Sequence, residues 1–242
     1  MAHFYLRDDL VDAEPGGTVE LRGAEARHAV TVSRTRVGET ITIGNGTGLV
    51  VHGNVITADA SVVAVRAETV ERVERPTPIL TLAQALAKGG RDELAVQSAT
   101  ELGVDAIVPW AAGRSIVRWA GEKRQKGRDR WSSIVREATK QSMRAWLPTI
   151  AAMADSAALA ERGTDARLLV LDPLAPAPLS GIRTDRRDIV LIVGPEGGIT
   201  EDEFRRFADA GAERVRLGES VLRTSSAGPA AIAVLNVALG RW

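Results

Sequence analysis

The sequence predicts an α/β protein whose larger part is built on a mostly parallel sheet and whose smaller part is a β domain. From residue 79 onward, short apolar runs alternate with helical patterns, which is the rhythm of βαβ units. Residues 1–73 instead alternate β-like runs with turns. Two glycine-bearing loops late in the chain each follow a strand and precede a helix, as ligand-binding loops do in open α/β sheets.

The first 73 residues predict a small barrel, with strands at residues 18–21, 40–43, 49–53 and 61–65 and a turn at 44–48. A domain boundary is expected at residues 75–78, because Pro76 and Pro78 interrupt both helical and strand hydrogen bonding. The expected domains are therefore 1–73 and 74–242.

The second part predicts strands at residues 79–82, 106–109, 168–171, 188–193 and 212–217, and helices at 92–102, 128–144, 157–162 and 226–239. The run 188–193 is continuously apolar, which is typical of a strand covered on both faces. Thr200 and Glu203 have the spacing of a capping box. The last helix is apolar on almost every side, which predicts a buried helix or a subunit interface. Gly228 and Pro229 interrupt it too early for a membrane span.

The glycine loops at 193–198 and 217–224 are expected to form a crevice at the carboxyl ends of neighbouring strands. Residues 172–178, which leave another predicted strand, would add a third wall. The first loop is not a Walker A motif, because no Lys and Ser/Thr pair follows Gly198, and it comes too late for a dinucleotide fingerprint. Glu196 would repel a phosphate, so the ligand is expected to be uncharged or cationic at that end.

The composition argues against a disulfide-bonded protein, a metalloprotein and a secreted protein. Cysteine is absent, and His28 and His52 lack metal-ligand spacing, so we expect neither disulfides nor a metal. The amino terminus has no apolar signal-peptide core, which favours a cytoplasmic protein without membrane partners.

Charge is distributed unevenly although the net charge is zero. Residues 1–73 carry 7 basic against 10 acidic side chains, whereas residues 110–150 carry 10 basic against 3 acidic. Four tryptophans also lie in the basic stretch, at positions 110, 119, 131 and 146. Such a mixture suits an RNA face, with cations on phosphates and aromatic rings on unpaired bases. For the tryptophans the sequence favours core packing over stacking; for the basic run it favours RNA.

The glycine loops resemble a known family. Gly194-Pro195-Glu196-Gly197-Gly198, followed by Leu217-Gly218 and Leu222-Arg223-Thr224, resembles the carboxyl-terminal signature of the RsmE family of 16S ribosomal RNA uracil-N3 methyltransferases, which belong to the SPOUT class. The resemblance covers nearly the whole chain through His28, Arg34, Gln97, residues 100–104, Pro109, Arg114-Ser115, Glu137-Ala138, Gln141-Ser142, Arg144 and Pro148. Residues 225–228 depart from the expected Glu- and Ala-rich pattern, so no role is assigned to 225 and 226.

The resemblance implies a SPOUT-type parallel sheet with a carboxyl-terminal trefoil knot, an amino-terminal PUA-like barrel that binds RNA, and a homodimer. It implies S-adenosyl-L-methionine as the cofactor and 16S rRNA, within the 30S subunit, as the substrate. The residues that it assigns to the cofactor are Leu171, Pro173, Val193, Gly194, Pro195, Gly197, Gly198, Leu217, Gly218, Val221, Leu222 and Thr224. Those that it and the basic run together assign to RNA are Arg34, Arg114, Arg118, Lys123, Arg124, Lys126 and Arg144.

The chemistry of uracil N3 suggests two catalytic residues, because this nitrogen carries a proton that must be removed or whose loss must be stabilised. Arg223 is expected to stabilise the imide anion, the alternative being a salt bridge across the knot or the dimer interface. Glu196 could act as the base, orient the cofactor, or bind backbone N–H groups. Residues Glu137, Gln141 and Arg144 are expected on one helical face. This face would present polar groups to the RNA or tie the helix to the sheet.

Two other functions remain compatible with the sequence. A SPOUT ribose 2′-O-methyltransferase would need no imide deprotonation, so a rate independent of pH in the neutral range would favour it. A non-catalytic RNA-binding or ribosome-assembly factor would bind RNA without binding S-adenosylmethionine.

Overall fold

The computed structural model describes residues 3–242, which form two compact units. One unit contains the chain up to Arg75 together with Thr139–Leu147, and the other contains Pro76–Ala138 and Pro148–Trp242. Each unit has its own sheet and its own buried apolar cluster.

The smaller unit is a five-stranded sheet in the order β1-β3-β4-β5-β2, with one helix. Its elements are β1 (His3–Leu6), β2 (Thr18–Arg22), α1 (Gly23–Thr31), β3 (Thr40–Gly44), β4 (Leu49–Ala58) and β5 (Val62–Arg72). β1 pairs with β3 in parallel, and the other pairs are antiparallel. The four predicted strands correspond to β2–β5. β1 and α1 were not predicted: β1 has only four residues, and α1 buries only Ala26 and Ala29, which leaves little apolar periodicity.

The segment Thr139–Leu147 belongs to the smaller unit. The Leu147 N–H donates to the Gly46 carbonyl at 2.9 Å, and Trp146 Nε1 donates to the Val73 carbonyl at 2.9 Å. Lys140 is nearly buried and forms an ion pair with Glu25, with 3.3 Å between Nζ and Oε1. The segment is therefore fixed by side-chain and backbone contacts of that unit.

The long helix α3 spans Glu122–Gln141, so the predicted range 128–144 was wrong at both ends. Residues 122–130 are mostly charged residues that favour a helix, so the helix begins before residue 128. The sequence did not reveal this start because the segment has no apolar stripe. The helix ends before residue 144 because Met143 adopts a left-handed conformation, φ 52°, and the Arg144 N–H bonds to the Thr139 carbonyl at 3.1 Å. This is the hydrogen bonding of a Schellman motif, with Met where Gly is usual. Arg144 thus lies beyond the helix whose face it was expected to share.

The larger unit is a seven-stranded sheet in the order β10-β12-β9-β11-β6-β7-β8, in which every recorded pairing is parallel. Its strands are β6 (Leu80–Ala85), β7 (Ala106–Trp110), β8 (Thr149–Ile150), β9 (Ala166–Leu171), β10 (Ala177–Pro178), β11 (Asp188–Val193) and β12 (Glu213–Arg216). Its other helices are α2 (Arg91–Glu101), α4 (Ser156–Glu161), α5 (Glu201–Asp209) and α6 (Thr224–Ala238). The prediction of an α/β fold with a parallel sheet is confirmed.

Burial explains the central strands. All six residues of β6 and the last five of β11 are buried, so the continuous apolar run does lie in a strand covered on both faces. Trp110 on β7 and Trp131 on α3 are also buried, as the packing interpretation predicted, and Trp110 meets Phe207 edge to face. Trp119 and Trp146 are only half-buried.

The predicted capping box is confirmed at the start of α5. Thr200 Oγ1 accepts a hydrogen bond from the Glu203 N–H at 3.2 Å, and Glu203 Oε2 accepts one from the Thr200 N–H at 2.9 Å. Glu203 Oε1 also accepts from the Gly113 N–H and from Ser156 Oγ, each at 2.7 Å. One buried carboxylate therefore fixes α5, the segment after β7, and the first residue of α4.

No helix within residues 3–242 is both long enough and apolar enough to cross a membrane.

Candidate active site

A cavity of about 640 Å³ opens where the parallel strands β9, β11 and β12 end. Because parallel strands end at the same edge of a sheet, the connections that leave them meet there. Three segments supply most of the lining: residues 171–174 after β9, residues 193–199 after β11, and residues 214–224 at the end of β12. The predicted crevice is therefore present. Of the predicted third wall, residues 172–178, only Asp172, Pro173 and Leu174 line it.

The loop after β11 is held on several sides. Thr224 Oγ1 donates to the Gly194 carbonyl at 2.9 Å and accepts from Gln84 Nε2 at 2.9 Å, so α6, β6 and the loop are linked through one hydroxyl. The Gly198 N–H donates to the Pro195 carbonyl at 2.9 Å. Gly198 has φ 75°, a left-handed conformation that glycine adopts without strain. The loop is thus shaped by the protein itself.

Glu196 points to a neighbouring connection. Its Oε1 accepts hydrogen bonds from Arg91 Nη1 at 2.9 Å and from the Lys88 N–H at 3.3 Å. Partial burial would raise its pKa, but these bonds and one from its own backbone N–H outweigh that effect and hold the pKa of Glu196 below its ordinary value. The side chain is therefore an ionised hydrogen-bond acceptor.

The loop after β12 is open by comparison. Within residues 3–242, no hydrogen bond of the protein engages the backbone of Gly218–Leu222. Val221 is 77% exposed and Leu222 41% exposed, which is unusual for apolar residues that line a cavity. Arg223 is exposed, and its guanidinium has no ion-pair or hydrogen-bond partner among the described residues. This wall offers backbone N–H and C=O groups, apolar surface and one cation to a ligand.

The wall after β9 is fastened by two arginines of β12. Arg214 Nε donates to Asp172 Oδ2 at 2.7 Å, and its guanidinium stacks 4.4 Å from the centre of the Phe204 ring. Arg216, two residues along the strand, donates to the Ala175 carbonyl at 2.7 Å. The alternation of a strand places both arginines on the same face.

The structure brings the predicted cofactor residues together, with one exception. All of them line the cavity except Gly197, whose Cβ position would lie 3.1 Å from Arg114 Cβ, on the side of the loop that packs on Arg114. Both predicted catalytic residues, Arg223 and Glu196, also line the cavity. The prediction missed the lining residues outside the predicted walls: Arg91, Ile199, Glu201, Phe204, Arg214, Val215, Arg216 and Ala227. The spacing of Arg214 and Arg216 along the predicted strand was the one signal that could have pointed to some of them.

The basic residues predicted to bind RNA are divided between the units. Arg114 lines the cavity, with Nη1 3.2 Å from the Gly197 carbonyl. Arg118 and Arg124 donate to backbone carbonyls, at 3.0 and 3.3 Å, and neither bond involves a carboxylate. Lys126 instead forms an ion pair with Glu122. All four of these, and Lys123, are exposed.

The remaining two, Arg34 and Arg144, belong to the smaller unit. Arg34 is exposed and has φ 56°.

The ionisable side chains that line the cavity are arginines and carboxylates. No group of three or more His, Cys, Asp or Glu side chains within residues 3–242 is placed to hold a metal ion.

Comparison with known proteins gives a consistent result. A family model described as an RNA methyltransferase domain matches residues 73–236. The ribosomal RNA small subunit methyltransferase E of Mycobacterium bovis is 38% identical over 99% of this chain and 92% of its own length. The protein of the same name from Bacillus subtilis is 28% identical over 94% of this chain and 93% of its own.

Solved structures agree. A ribosomal RNA small subunit methyltransferase E from Neisseria gonorrhoeae, bound to S-adenosyl methionine, superposes with a TM-score of 0.87 and 29% identity, over 98% of each chain. A methyltransferase from Legionella pneumophila, in complex with the same cofactor, gives a TM-score of 0.86 with 29% identity over 98% of each chain. With these matches over nearly its full length, the chain belongs to the RNA methyltransferase domain family, as one of the ribosomal RNA small subunit methyltransferase E proteins.

Proposed function

We propose that this protein transfers the methyl group of S-adenosyl-L-methionine to N3 of a uridine in 16S rRNA. The observation that carries the proposal is the cavity at the carboxyl edge of the parallel sheet, with a fastened glycine loop on one side and an open loop ending in Arg223 on the other. The relatives are rRNA small subunit methyltransferases, and two structural neighbours bind S-adenosylmethionine.

The cavity residues fit the cofactor. The volume of the cavity, about 640 Å³, is in the range of sites for ligands of the size of S-adenosylmethionine. An adenine base needs hydrogen-bond partners on its edge and apolar contacts on its faces. The unpaired backbone of Gly218–Leu222 and the exposed side chains of Leu174 and Leu222 supply both. When bound there, the cofactor supplies an electrophilic methyl group on a sulfonium.

Arg223 is proposed to make uracil N3 a nucleophile. Methyl transfer is an in-line displacement that needs alignment and a nucleophile with an available electron pair. Loss of the N3 proton leaves a negative charge spread over the imide, and a guanidinium at its oxygens would stabilise that charge. Arg223 lies at the N-cap of α6, which fixes its backbone, while its guanidinium stays available because no described group binds it. No carboxylate within residues 3–242 pairs with this guanidinium, so the alternative salt bridge would have to form across a dimer interface.

The role of Glu196 as a base stays a prediction. A carboxylate whose pKa is held below its ordinary value is a weak proton acceptor near neutral pH. The bond from the Lys88 N–H matches the alternative role of this carboxylate, binding of backbone N–H groups. We therefore assign the catalytic charge to Arg223 and leave proton removal to bulk base or to a group of the RNA complex.

RNA binding is proposed for the basic residues that the sequence predicted for it. Arg118, Lys123 and Arg124 lie in and just after the segment that leaves β7, and none of them is paired with a described carboxylate. Such cations neutralise phosphates and make binding salt-dependent. Lys126 and Arg114 are proposed to contribute from the same stretch, and Arg34 and Arg144 from the smaller unit.

A carboxyl-terminal trefoil knot is proposed for the larger unit. The helix α6 contacts β6, β11 and α2, and also the turn Leu179–Gly181 in the connection from β9 to β11. Thr184 Oγ1 of that connection donates to the Ala238 carbonyl at 3.2 Å. Contacts of the same helix with both the sheet and this connection are what passage through the connection would produce.

Four further features are proposed from the family membership. The smaller unit, with its five-stranded sheet, is proposed to be a PUA-like RNA-binding barrel, and the domain boundary to lie near residue 73. The protein is proposed to act as a homodimer, which would cover exposed apolar residues such as Val237. It is proposed to work in the cytoplasm, where ribosomal subunits are assembled.

The decisive experiment is methylation in vitro. The purified protein is incubated with labelled S-adenosylmethionine and either undermethylated 30S subunits or naked 16S rRNA, and the nucleosides are analysed by mass spectrometry. We expect 3-methyluridine. A 2′-O-methyl nucleoside would instead establish the ribose methyltransferase, and RNA binding without any binding of S-adenosylmethionine would establish the non-catalytic factor.

A further inference from the structure

The connection from β6 to α2 lies beside the 194–198 glycine loop. β6 and β11 are neighbouring parallel strands, with Gln84 in register with Val193, so the segments that follow them leave the sheet side by side. The first of these segments leads through Lys88, Gly89 and Gly90 into α2, whose first residue is Arg91. Nothing in the sequence links Arg91 to residue 196, because 105 positions separate them.

One carboxylate oxygen joins the two segments. Glu196 Oε1 accepts from Arg91 Nη1 at 2.9 Å and from the Lys88 N–H at 3.3 Å. The Arg91 side chain is 35% exposed and that of Glu196 is 22% exposed, so the pair is partly shielded from water. A charge-assisted hydrogen bond in such a place is stronger than an ion pair on the open surface.

Arg91 is presented from a fixed backbone. The neighbouring residue Asp92 is buried, and its Oδ2 accepts from the Ala87 N–H at 3.1 Å while its Oδ1 accepts from the Glu93 N–H at 2.9 Å. These bonds fold the connection back onto the start of α2. The guanidinium of Arg91 is therefore attached to a rigid support.

The pair also lies at the cofactor cavity. Arg91 and Glu196 both contribute to its lining, and the same loop is contacted from another side by Arg114, whose Nη1 is 3.2 Å from the Gly197 carbonyl. The carbonyl of Gly194 is bound by Thr224. The tip of the loop, at Glu196, depends on Arg91 for its side-chain anchor.

We propose that Arg91 is a positioning residue, whose ion pair with Glu196 holds the 194–198 loop in the geometry that binds S-adenosylmethionine. Glu196 is then the anchor of the loop and not the base. The inference rests on the proposed function only in taking S-adenosylmethionine as the ligand of the cavity. It predicts that removal of Arg91 or of Glu196 weakens cofactor binding equally, because each side chain holds the loop only through its bond to the other.

The test compares Arg91→Met, Glu196→Gln and the double variant in the full-length protein. The dissociation constant of S-adenosylmethionine is measured by calorimetry, and kcat is measured on undermethylated 30S subunits at saturating cofactor. Each single variant is expected to weaken cofactor binding about tenfold, as loss of one charge-assisted hydrogen bond would. The double variant is expected to be no weaker than either single variant. The kcat value is expected to stay within about twofold of wild type.

Two controls separate positioning from general damage. Arg91→Lys keeps the charge and is expected to recover part of the lost affinity. Arg167→Met breaks a comparable ion pair with Glu213, which joins β9 and β12 at their beginnings, away from the cavity, and is expected to leave cofactor affinity unchanged. Thermal unfolding of every variant shows that the proteins compared are folded.

Three outcomes would overturn the inference. Additive losses in the double variant would show that the two residues act separately. A loss of kcat of about 100-fold in Glu196→Gln with unchanged affinity would make Glu196 the base. Equal weakening by Arg167→Met would show an unspecific effect. If the wild-type protein binds S-adenosylmethionine but makes no 3-methyluridine, the proposed reaction fails while the affinity comparison still tests the pair.

Discussion

The two glycine loops that border the cavity differ in how the protein holds them. The loop after β11 is tied to β6 and α6 through Thr224, to α2 through Glu196, and to Arg114 through the Gly197 carbonyl. The loop after β12 has an unpaired backbone from Gly218 to Leu222, exposed apolar side chains and a free guanidinium on Arg223. One side of the site is thus built before the ligand arrives, and the other side gains its partners from the ligand. Substitutions on the first side should change stability or cofactor affinity, and those on the second should change catalysis.

The largest effect is expected from Arg223→Ala, on the open side. The variant should fold and bind S-adenosylmethionine like wild type, because no described group depends on the guanidinium. The rate constant of methyl transfer should fall about 100- to 1,000-fold, the cost of removing one donor that stabilises a developing anion. The measurement is single-turnover methylation of undermethylated 30S subunits, with Arg223→Lys as the charge-retaining control. Unfolding of the variant, or loss of a dimer, would place Arg223 among the structural residues instead.

Glu203→Gln tests the fastened side at the start of α5. The carboxylate accepts four hydrogen bonds, from the N–H and hydroxyl groups of Thr200, the Gly113 N–H and Ser156 Oγ. An amide NH₂ would face one or more of these donors, so a loss of about 2–3 kcal/mol in unfolding free energy is expected. Urea denaturation measures it, with Asp202→Asn, in a surface pair with Arg205, as the control.

The same variant gives a prediction for pH. Burial would raise the pKa of Glu203, but its hydrogen bonds outweigh this and hold the pKa below the ordinary value of 4.5. A lowered pKa means that the stabilisation is present above about pH 4.5 and disappears as the pH falls through the native pKa. The difference in stability between wild type and Glu203→Gln should therefore shrink below that pH. A difference that grows in acid would contradict the assignment.

A pair of glycine substitutions compares the loops directly. A Cβ at residue 194 would lie 2.8 Å from Ile199 Cγ1, on a buried side chain, whereas a Cβ at residue 218 would meet no atom within 4 Å. Gly194→Ala should cost about 1–3 kcal/mol through overpacking, and Gly218→Ala should leave the free energy of unfolding nearly unchanged. Thermal and urea unfolding measure the stability of the two variants. Equal destabilisation by Gly194→Ala and Gly218→Ala would contradict the distinction between the loops.

The smallest effect is expected from Thr224→Val. The substitution keeps the shape of the side chain but leaves the Gly194 carbonyl without its donor, while Gln84 Nε2 keeps its bond to the Ala85 carbonyl at 3.1 Å. A loss of about 1 kcal/mol is expected, with Thr224→Ser as the control that retains the hydroxyl. A neutral result in urea denaturation would show that the loop does not depend on this bond.

The sequence by itself determined the architecture and the place of the site. Alternating strands and helices after residue 79, the apolar run 188–193 and the capping box at Thr200 follow from local patterns, and all are present in the structure. The two glycine loops were enough to locate the cavity, because parallel strands end at a common edge whatever their order in the sheet. Where the pattern was weak, at β1, α1 and the start of α3, the prediction failed because short or highly charged segments show little apolar periodicity. The end of α3 was missed because Met143 adopts a left-handed conformation that the sequence does not signal.

Only the tertiary structure decided which residues meet across the site. Arg91 and Glu196, Asp172 and Arg214, and Gly113 and Glu203 are brought together by strand order and by connections that share an edge. A single sequence contains no record of such contacts, because the free energy of an ion pair depends on distance and shielding and not on separation along the chain. Nor does a single sequence show that Gly197 lies against Arg114, where an added Cβ would come 3.1 Å from Arg114 Cβ.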